Sequence, residues 1–326
     1  MRKFLALIVV LAVVIAGIAQ WGYSVYTRPG PQAAKGNETI VTIKSGIGLR
    51  GIARALKSAG VITDDDVFMV GARLTGRAHL LKAGDYAIAS AASMKVIADQ
   101  IADGRVLVYK VTVAEGLTSQ MAVDILADNP ALTGDKPATP EEGSLLPETY
   151  LFQRGTTRAE ILAKMQKAQQ EAIDQLWENR AKGLPFRTKR EAVIMASVVE
   201  KETALPEERR HVASVFINRL RQGMKLQSDP TIIYGITKGY PLGRGIRESE
   251  IKGSSPYNTY VVTGLPAGPI CNPGRDSLAA VLNPADTRDL YFVADGSGGH
   301  AFAATIDEQV RNVRRWRKLE KQQAKK

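Results

Sequence analysis

The N-terminal segment constrains the fold most, because a long run of apolar side chains must be removed from water. Residues Phe4 to Ala19 carry no charged or strongly polar side chain, and the next charge is Arg28. The stretch from Phe4 to Tyr26 is long enough for one transmembrane helix with interfacial aromatic residues near its end. Because Arg2 and Lys3 precede this stretch, the sequence predicts a cytoplasmic N-terminus and an exported remainder.

The same segment leaves one alternative open. Gly17-Ile18-Ala19 has the small residues of a signal-peptide cleavage site, although the aromatic end of the stretch favours a retained anchor. In both cases the bulk of the chain is exported. The predicted location is the inner (cytoplasmic) membrane, with a single pass and the C-terminal part in the periplasm or its extracytoplasmic equivalent.

Composition limits the classes of partner. The roughly 300 exported residues suffice for two domains, and the lone Cys271 excludes an intrachain disulfide. The net charge is +11, which alone would suggest nucleic acid, but for an exported chain anionic lipid or an acidic wall polymer is the expected partner. Much of the excess lies in a C-terminal basic run, which could also be a solvated helix end: Arg311, Arg314, Arg315, Arg317, Lys318, Lys321, Lys325 and Lys326.

Strand and helix patterns predict an α+β protein with two folded regions. The first region opens with Val41-x-Ile43-x-x-Gly46 and Ile52-Ala53-x-x-Leu56, which resembles a LysM-type peptidoglycan-binding module; a purely structural role is the alternative. The predicted organisation is cytoplasmic residues 1–3, anchor 4–26, linker 27–37, LysM-like α+β domain 38–128, linker 129–141, mainly helical catalytic domain with short strands 142–318, and basic tail 319–326.

Local signals divide the larger region further. They predict helices over 158–181, 189–203 and 206–222, an extended segment over 224–234, a Gly- and Pro-rich loop over 235–273, a hairpin of strands 290–294 and 301–305, and a basic helix over 305–318.

The helix that follows Thr188 carries the leading candidate for chemistry. Thr188 and Glu191 form a capping-box pattern. At about 100° per residue, Glu202 falls inside the apolar stripe of this helix and Glu200 roughly opposite it. A glutamate on an apolar face is desolvated and keeps its proton near neutral pH, as a general acid requires. Glu200 is a helper or a surface residue. The stripe consists of Ile194, Met195, Val198 and Val199.

Rings, amides and hydroxyls are concentrated on either side of residue 240. Aromatic rings stack on sugar faces, and neutral hydrogen-bonding groups recognise hydroxyl and acetamido groups, so the mixture is typical of a glycan site. Asp229 ahead of Pro230 could equally be a turn cap. The candidate substrate-binding residues here are Gln227, Asp229, Thr231, Tyr234, Tyr257, Asn258, Thr259 and Tyr260.

Other kinds of site are not indicated. The three histidines are far apart in sequence and Cys271 stands alone, so no metal site is predicted, and no phosphate loop or dinucleotide motif is present. Ser197 lacks a nucleophile-elbow motif. His300 follows a Gly-rich turn and is interpreted as a hairpin residue, with closure over a site as the alternative.

Together these segments resemble the endolytic murein transglycosylases of the MltG/YceG-like family, from about residue 142 to residue 317. The segments that carry the resemblance are Glu142-Gly143, Leu146-Pro-Glu148-Thr-Tyr150, Ala196-Ser-Val-Val-Glu-Lys-Glu-Thr203, Val212 to Arg219, Leu226-Gln-Ser-Asp-Pro-Thr231, Tyr257-Asn-Thr-Tyr260, Gly264-Leu-Pro266, Asn272-Pro-Gly274, Tyr291-Phe-Val-Ala294 and Gly298-Gly-His300. Glu148 departs from the Asp that the family often shows, with its charge kept.

The resemblance implies a lytic-transglycosylase-like catalytic domain that cleaves the β-1,4 bond between N-acetylmuramic acid and N-acetylglucosamine within strands. It implies one catalytic glutamate, placed at Glu202, no cofactor, and Glu148 among the substrate-binding residues. Peptidoglycan is the implied substrate, and penicillin-binding proteins are candidate partners. Two alternatives stay open: a lysozyme-type hydrolase, which needs a second carboxylate such as Glu148 or Asp229, and a non-catalytic wall-binding scaffold.

Overall fold

The structure is a computed structural model that describes residues 2–323 and mixes helices with short strands. The helices are α1 (Arg2–Thr27), α2 (Leu49–Ser58), α3 (Asp65–Leu74), α4 (Met94–Asp103), α5 (Ser119–Asp128), α6 (Arg158–Glu178), α7 (Lys189–Glu202), α8 (Pro206–Arg221), α9 (Asp229–Thr237), α10 (Glu248–Ile251), α11 (Arg275–Leu282) and α12 (Ile306–Gln323). The strands are β1 (Glu38–Ile43), β2 (Gly84–Ala89), β3 (Tyr109–Thr112), β4 (Thr149–Phe152), β5 (Tyr291–Ala294) and β6 (His300–Ala303).

The described residues form two compact units. Unit 1 consists of the chain up to Tyr109 together with Leu151–Gly155, and unit 2 of Lys110–Tyr150 and the chain from Thr156 onward. This division places α5 in unit 2, whereas the sequence analysis groups residues 110–128 with the first domain.

Unit 1 is built on an antiparallel pair of strands, β1 and β2, in which Val41 lies opposite Tyr86. Two helices, α2 and α3, separate the strands in sequence. Helix α3 was not predicted, although it begins with a recognisable cap: the Asp64 carboxylate accepts hydrogen bonds from the amides of Asp66 and Val67, both at 2.9 Å. The order of elements is strand–helix–helix–strand. This order alone does not establish a LysM-type module, so the LysM-like character of unit 1 stays a prediction.

Helix α1 contains one stretch, Phe4–Thr27, that is long and apolar enough to cross a membrane. Its last turn belongs to the core of unit 1, where Val25 is 6% and Tyr26 3% exposed. The following segment, predicted as a linker, is bound to the same unit, since Gly30 N–H donates to Ala91 O at 3.1 Å. The chain therefore passes from α1 into unit 1 through packed and hydrogen-bonded residues.

Helix α7 lies in the interior of unit 2. The capping box predicted at Thr188 and Glu191 is confirmed, with each side chain bonded to the other's backbone amide. All eight residues from Ala192 to Val199 are buried, because α6, α8, α9 and α11 pack around the helix. The predicted single apolar stripe is therefore wrong: α7 is apolar on all sides until its last turn.

The boundaries of α8 are confirmed, with Pro206 at its first position and Gly223 in a left-handed conformation just beyond its end. The hairpin is confirmed as β5 paired with β6. The predicted extended segment 224–234 is wrong from residue 229 onward, because α9 begins there. The loop 235–273 contains the single-turn helix α10.

The C-terminal helix α12 runs to Gln323. The predicted basic tail, 319–326, is therefore helical over its first five residues. Lys325 and Lys326 lie outside the described residues.

Candidate active site

Glu202 is the last residue of α7, and the pKa of its carboxyl group is raised. The side chain is partly exposed, yet desolvation by the surrounding protein raises its pKa to about 7 from the ordinary value of 4.5. The Asp229 carboxylate raises this pKa further. The Ser228 hydroxyl, His300 and Arg219 act in the opposite direction. A carboxyl group with this pKa exchanges its proton near neutral pH, as general acid and base catalysis requires.

Ser228 fixes the orientation of the Glu202 carboxyl group. Its hydroxyl donates a short hydrogen bond to Glu202 Oε1, and the residue is 1% exposed. Because Oε1 already accepts this bond, Oε2 is the oxygen free to carry a proton toward a substrate.

The backbone of Ser228 is fixed as firmly as its side chain. Its N–H donates to Thr259 Oγ1 at 2.9 Å and its carbonyl accepts from Thr231 Oγ1 at 2.6 Å. The preceding residue, Gln227, has a φ of 56°, in the left-handed region that non-glycine residues seldom occupy. Strain of this kind persists only where the surrounding structure holds it, and here the Thr231 and Thr259 contacts do so.

Charged and aromatic groups complete the surroundings of Glu202. Tyr260 OH donates to Asp229 Oδ1 at 2.6 Å, on the solvent side. Arg219 is 9% exposed, and its Nη1 donates to the carbonyl of Leu226 at 2.7 Å. Burial lowers the pKa of the Arg219 guanidinium, and an arginine in a protein keeps its positive charge. This charge lowers the pKa of Glu202, so Arg219 favours the ionised form of that carboxyl group.

His300 pairs with a partly buried acid, Glu208. Its Nδ1 lies 2.6 Å from Glu208 Oε2, and its backbone N–H donates to Glu208 Oε1 at 2.8 Å. A Cβ on Gly299 would lie 2.6 Å from that same Oε1, so glycine is needed there for the carboxylate to approach the backbone. The carboxylate favours the tautomer with hydrogen on Nδ1, which leaves Nε2 as the free ring nitrogen. His300 is thus more than the hairpin residue that the sequence predicted.

Glu200 has a different environment on the same helix. Its side chain is 6% exposed, and its Oε1 lies 3.8 Å from Arg209 Nη2. Its Oε2 accepts from the Gly274 amide at 2.9 Å. The interpretation of Glu200 as a surface residue is therefore wrong, because the carboxylate is buried against a guanidinium that also contacts Glu115 and Asp276.

Glu142 is a partly buried carboxyl group that connects the start of α5, α9 and the loop that follows α10. It accepts from Ser119 N at 2.8 Å and from Tyr234 OH at 3.2 Å, and desolvation raises its pKa. The Tyr234 ring lies 4.8 Å from that of Tyr257. Asn272 connects Glu142 to the segment that follows it. Its side-chain amide donates to Glu142 Oε1 at 3.3 Å, and its Oδ1 accepts from Leu145 N at 3.0 Å.

The structure brings only some of the predicted substrate-binding residues to Glu202. Gln227, Asp229 and Tyr260 surround Ser228 and keep contact with solvent. Tyr234 and Tyr257 belong to the Glu142 cluster. Glu148 is exposed, and its charge acts on Glu115 and Tyr150, on the side of Glu200.

Three of the predicted contacts are interior. Thr231 and Thr259 are 0% and Asn258 is 1% exposed. The Asn258 amide donates to the carbonyls of Glu250, Ile251 and Gly253. These three residues were predicted to contact the substrate directly. In the structure the two threonines hold Ser228, and Asn258 closes the turn that precedes it.

Sequence reasoning missed Ser228, Arg219 and Glu208 as members of the site. Ser228 and Arg219 lie within segments that carry the family resemblance, so they could have been singled out there. Glu208 lies 92 positions from His300, and its first-turn position in α8 resembles an ordinary helix-start acid. Among residues 2–323 the structure shows no group of three or more His, Cys, Asp or Glu side chains arranged for a metal ion.

One desolvated carboxyl group, oriented by a serine and close to a cation, is the arrangement that general acid/base chemistry requires. The model of the YceG-like family matches residues 41–315. The chain therefore belongs to the YceG-like family.

Similar proteins agree with this assignment. An endolytic murein transglycosylase from Bacillus subtilis is 29% identical over 299 residues, which cover 82% of each chain. A second protein of that description, from Streptococcus pneumoniae, is 36% identical over 179 residues, which cover 53% of this chain but 31% of the relative. A crystal structure of a Listeria monocytogenes protein described as YceG-like superposes with a TM-score of 0.51 at 27% identity, over 85% of this chain and 99% of that one.

Proposed function

We propose that this chain is an endolytic murein transglycosylase, a lyase that cuts the β-1,4 bond between N-acetylmuramic acid and N-acetylglucosamine inside peptidoglycan strands. The observation that carries the proposal is the Glu202 carboxyl group with its pKa of about 7 and its single fixed hydrogen bond from Ser228. The relatives named as murein transglycosylases support the substrate class.

The reaction needs one group that gives and then takes a proton. Protonated Glu202 donates from Oε2 to the glycosidic oxygen as the bond from that oxygen to C1 of the muramic residue breaks. The C6 hydroxyl of the same residue then attacks C1, and Glu202 accepts its proton. No water is consumed, and the product carries a 1,6-anhydro end. Arg219 stabilises the carboxylate between the two transfers.

The second candidate is a lysozyme-type muramidase, favoured by the position of Asp229. Its exposed carboxylate lies near enough to raise the pKa of Glu202 and is held by Tyr260 OH. It could orient a water on the sugar in place of the C6 hydroxyl. Glu148, the other carboxylate considered for this role, is exposed and acts on Glu115 and Tyr150, so Asp229 is the better candidate.

Product chemistry separates the two candidates. Purified full-length protein should release internal fragments ending in 1,6-anhydromuramic acid, each lighter by one water than a hydrolytic product, as read by mass spectrometry. Predominantly reducing ends would transfer the assignment to the muramidase. Release only from strand termini would contradict the endolytic assignment.

Ser228→Ala tests the orientation of the acid. Removing the donor should lower kcat/KM about tenfold, the effect of one hydrogen bond to a charged or proton-exchanging group. Because the Ser228 bond lowers the pKa of Glu202, its loss should raise that pKa and move the alkaline limb of the pH–rate profile to higher pH. Ser254→Ala, at an exposed position in the loop after α10, is the control. An unshifted limb with normal turnover would remove Ser228 from the site.

The anchor, the LysM-like unit and the partners complete the proposal. We propose that α1 is retained as a single-pass anchor in the inner membrane with the units outside, and that unit 1 contacts peptidoglycan. Penicillin-binding proteins are proposed partners on the strength of the family resemblance alone.

A further inference from the structure

An apolar groove in unit 1 lies between α1 and α3. Its lining includes Ile15, Ile18 and Tyr26 of α1 and Val70, Gly71 and Leu74 of α3. Two of the α3 residues are strongly exposed: Leu74 is 83% and Val70 52% accessible. Four positions apart, they form one face of the helix.

The two helices are held in direct contact, so the groove is a fixed feature of unit 1. A Cβ on Gly71 would lie 2.4 Å from the Tyr26 ring, which shows that α3 approaches α1 as closely as a glycine allows. The opposite face of α3 is committed to the core, where Phe68 and Ala72 are fully buried. The Val70–Leu74 face therefore cannot turn inward.

We propose that this face of α3 lies in the outer leaflet of the membrane, so that unit 1 is bound to the lipid by α3 as well as by α1. The inference rests on the proposed retention of α1 as a membrane span. Leu74 and Val70 share one groove with Ile15 and Ile18, and lipid that surrounds those α1 residues also covers the groove. An isolated leucine exposed to this extent would be ordinary; a contiguous apolar surface along a membrane helix is not.

Charge next to the groove suits a membrane surface. Arg73, adjacent to Leu74, and Asp66, four positions before Val70, are both exposed. The Arg73 guanidinium can reach lipid phosphates while Val70 and Leu74 lie among acyl chains, and the Asp66 carboxylate has to remain at the level of the head groups. The lipid, rather than a protein partner, is thus the occupant that this surface fits.

Site-directed spin labelling of the full chain in phosphatidylcholine–phosphatidylglycerol vesicles tests the proposal. The native Cys271 is 0% exposed and does not compete for the label. Three variants are compared: Leu74→Cys, Ile18→Cys in the span, and Ile40→Cys, whose native side chain is 55% exposed on β1 and outside the groove. Collision rates with oxygen, which enters lipid, and with a nickel chelate, which stays in water, are measured for each.

The label at position 74 should resemble that at 18, with oxygen collisions dominant, while position 40 shows the reverse. If position 18 is in lipid but position 74, like position 40, collides mainly with the nickel chelate, this inference is wrong while the proposed anchor is supported. If position 18 itself behaves like position 40, α1 does not span the membrane, and the proposed anchor is wrong along with this inference. Protection of position 74 from both reagents would also contradict the proposal, because a second copy of the chain would then cover the groove.

Discussion

Glu202→Gln should reduce turnover by about 10²–10⁴-fold, the range for loss of a general acid and base. Glutamine keeps the side chain's shape and an oxygen that accepts the Ser228 hydrogen bond, but it cannot transfer a proton. The measurement is the rate of anhydro-end formation on purified peptidoglycan. Glu207→Gln, at an exposed position in the first turn of α8, is the matched control and should be unaffected.

A second comparison is Glu200→Gln, which keeps an oxygen for the Gly274 amide. It should cost less than about tenfold in turnover, because the proposed mechanism assigns Glu200 no proton transfer. If Glu200→Gln abolished activity while Glu202→Gln remained near normal, the catalytic roles would have to be exchanged.

Stability against pH shows whether Glu202→Gln is folded and whether the native pKa is raised. In the native protein Glu202 keeps its proton up to about pH 7, whereas the unfolded chain releases it near 4.5. The stability of the wild type should therefore fall as pH rises between these values. Glutamine does not titrate, so the variant should gain relative stability across this window, about 3 kcal/mol by pH 8. An equal pH dependence in both proteins would mean that the native pKa is not raised.

Arg209→Met should destabilise the fold by about 3 kcal/mol at neutral pH, because it leaves the Glu200 carboxylate buried without its cation. The Arg209 guanidinium lies 3.1 Å from Glu115, 3.2 Å from Asp276 and 3.8 Å from Glu200. Of these carboxylates only Glu200, 6% exposed, is shielded from water. Denaturant unfolding at several pH values measures the effect.

The pH dependence identifies the cause. Without the guanidinium, the carboxylates should protonate more readily, so the deficit of Arg209→Met should shrink as the pH falls toward 4. Arg210→Met, one residue along, removes hydrogen bonds to the backbone carbonyls of Asn283 and Pro284, and its effect should not vary with pH. A deficit of Arg209→Met that stays constant with pH would assign Arg209 a packing role only.

Sequence predicted the elements whose ends are set locally. The Thr188–Glu191 box starts α7, and Pro206 and Gly223 mark α8, since capping and backbone conformation depend on neighbours within a few residues. The extended interpretation of residues 224–234 failed at Pro230, which can occupy the first turn of a helix as well as a loop. The Pro-first signal was present there, as it was in α8.

The candidate site likewise combines features that depend on sequence neighbours with features that depend on distant contacts. Glu202 could be selected as the candidate because its apolar neighbours are close in sequence, although the single stripe predicted there is wrong, since α7 is enclosed on all sides. The burial of Glu200, and the pairing of His300 with Glu208, depend on contacts across 74 and 92 positions respectively. Such contacts exist only once the fold has formed, so no periodicity reveals them.

The segment after α1, residues 27–37, is bound to unit 1 and therefore limits how far unit 1 can move relative to α1. A flexible chain over residues 27–37 would allow excursions of about 20 Å, whereas Tyr26 in the core and Gly30 on Ala91 allow almost none. With α1 retained in the bilayer, unit 1 would keep a constant height and tilt and would encounter glycan only by lateral diffusion in the plane. Its search would be two-dimensional and confined to the wall layer nearest the lipid.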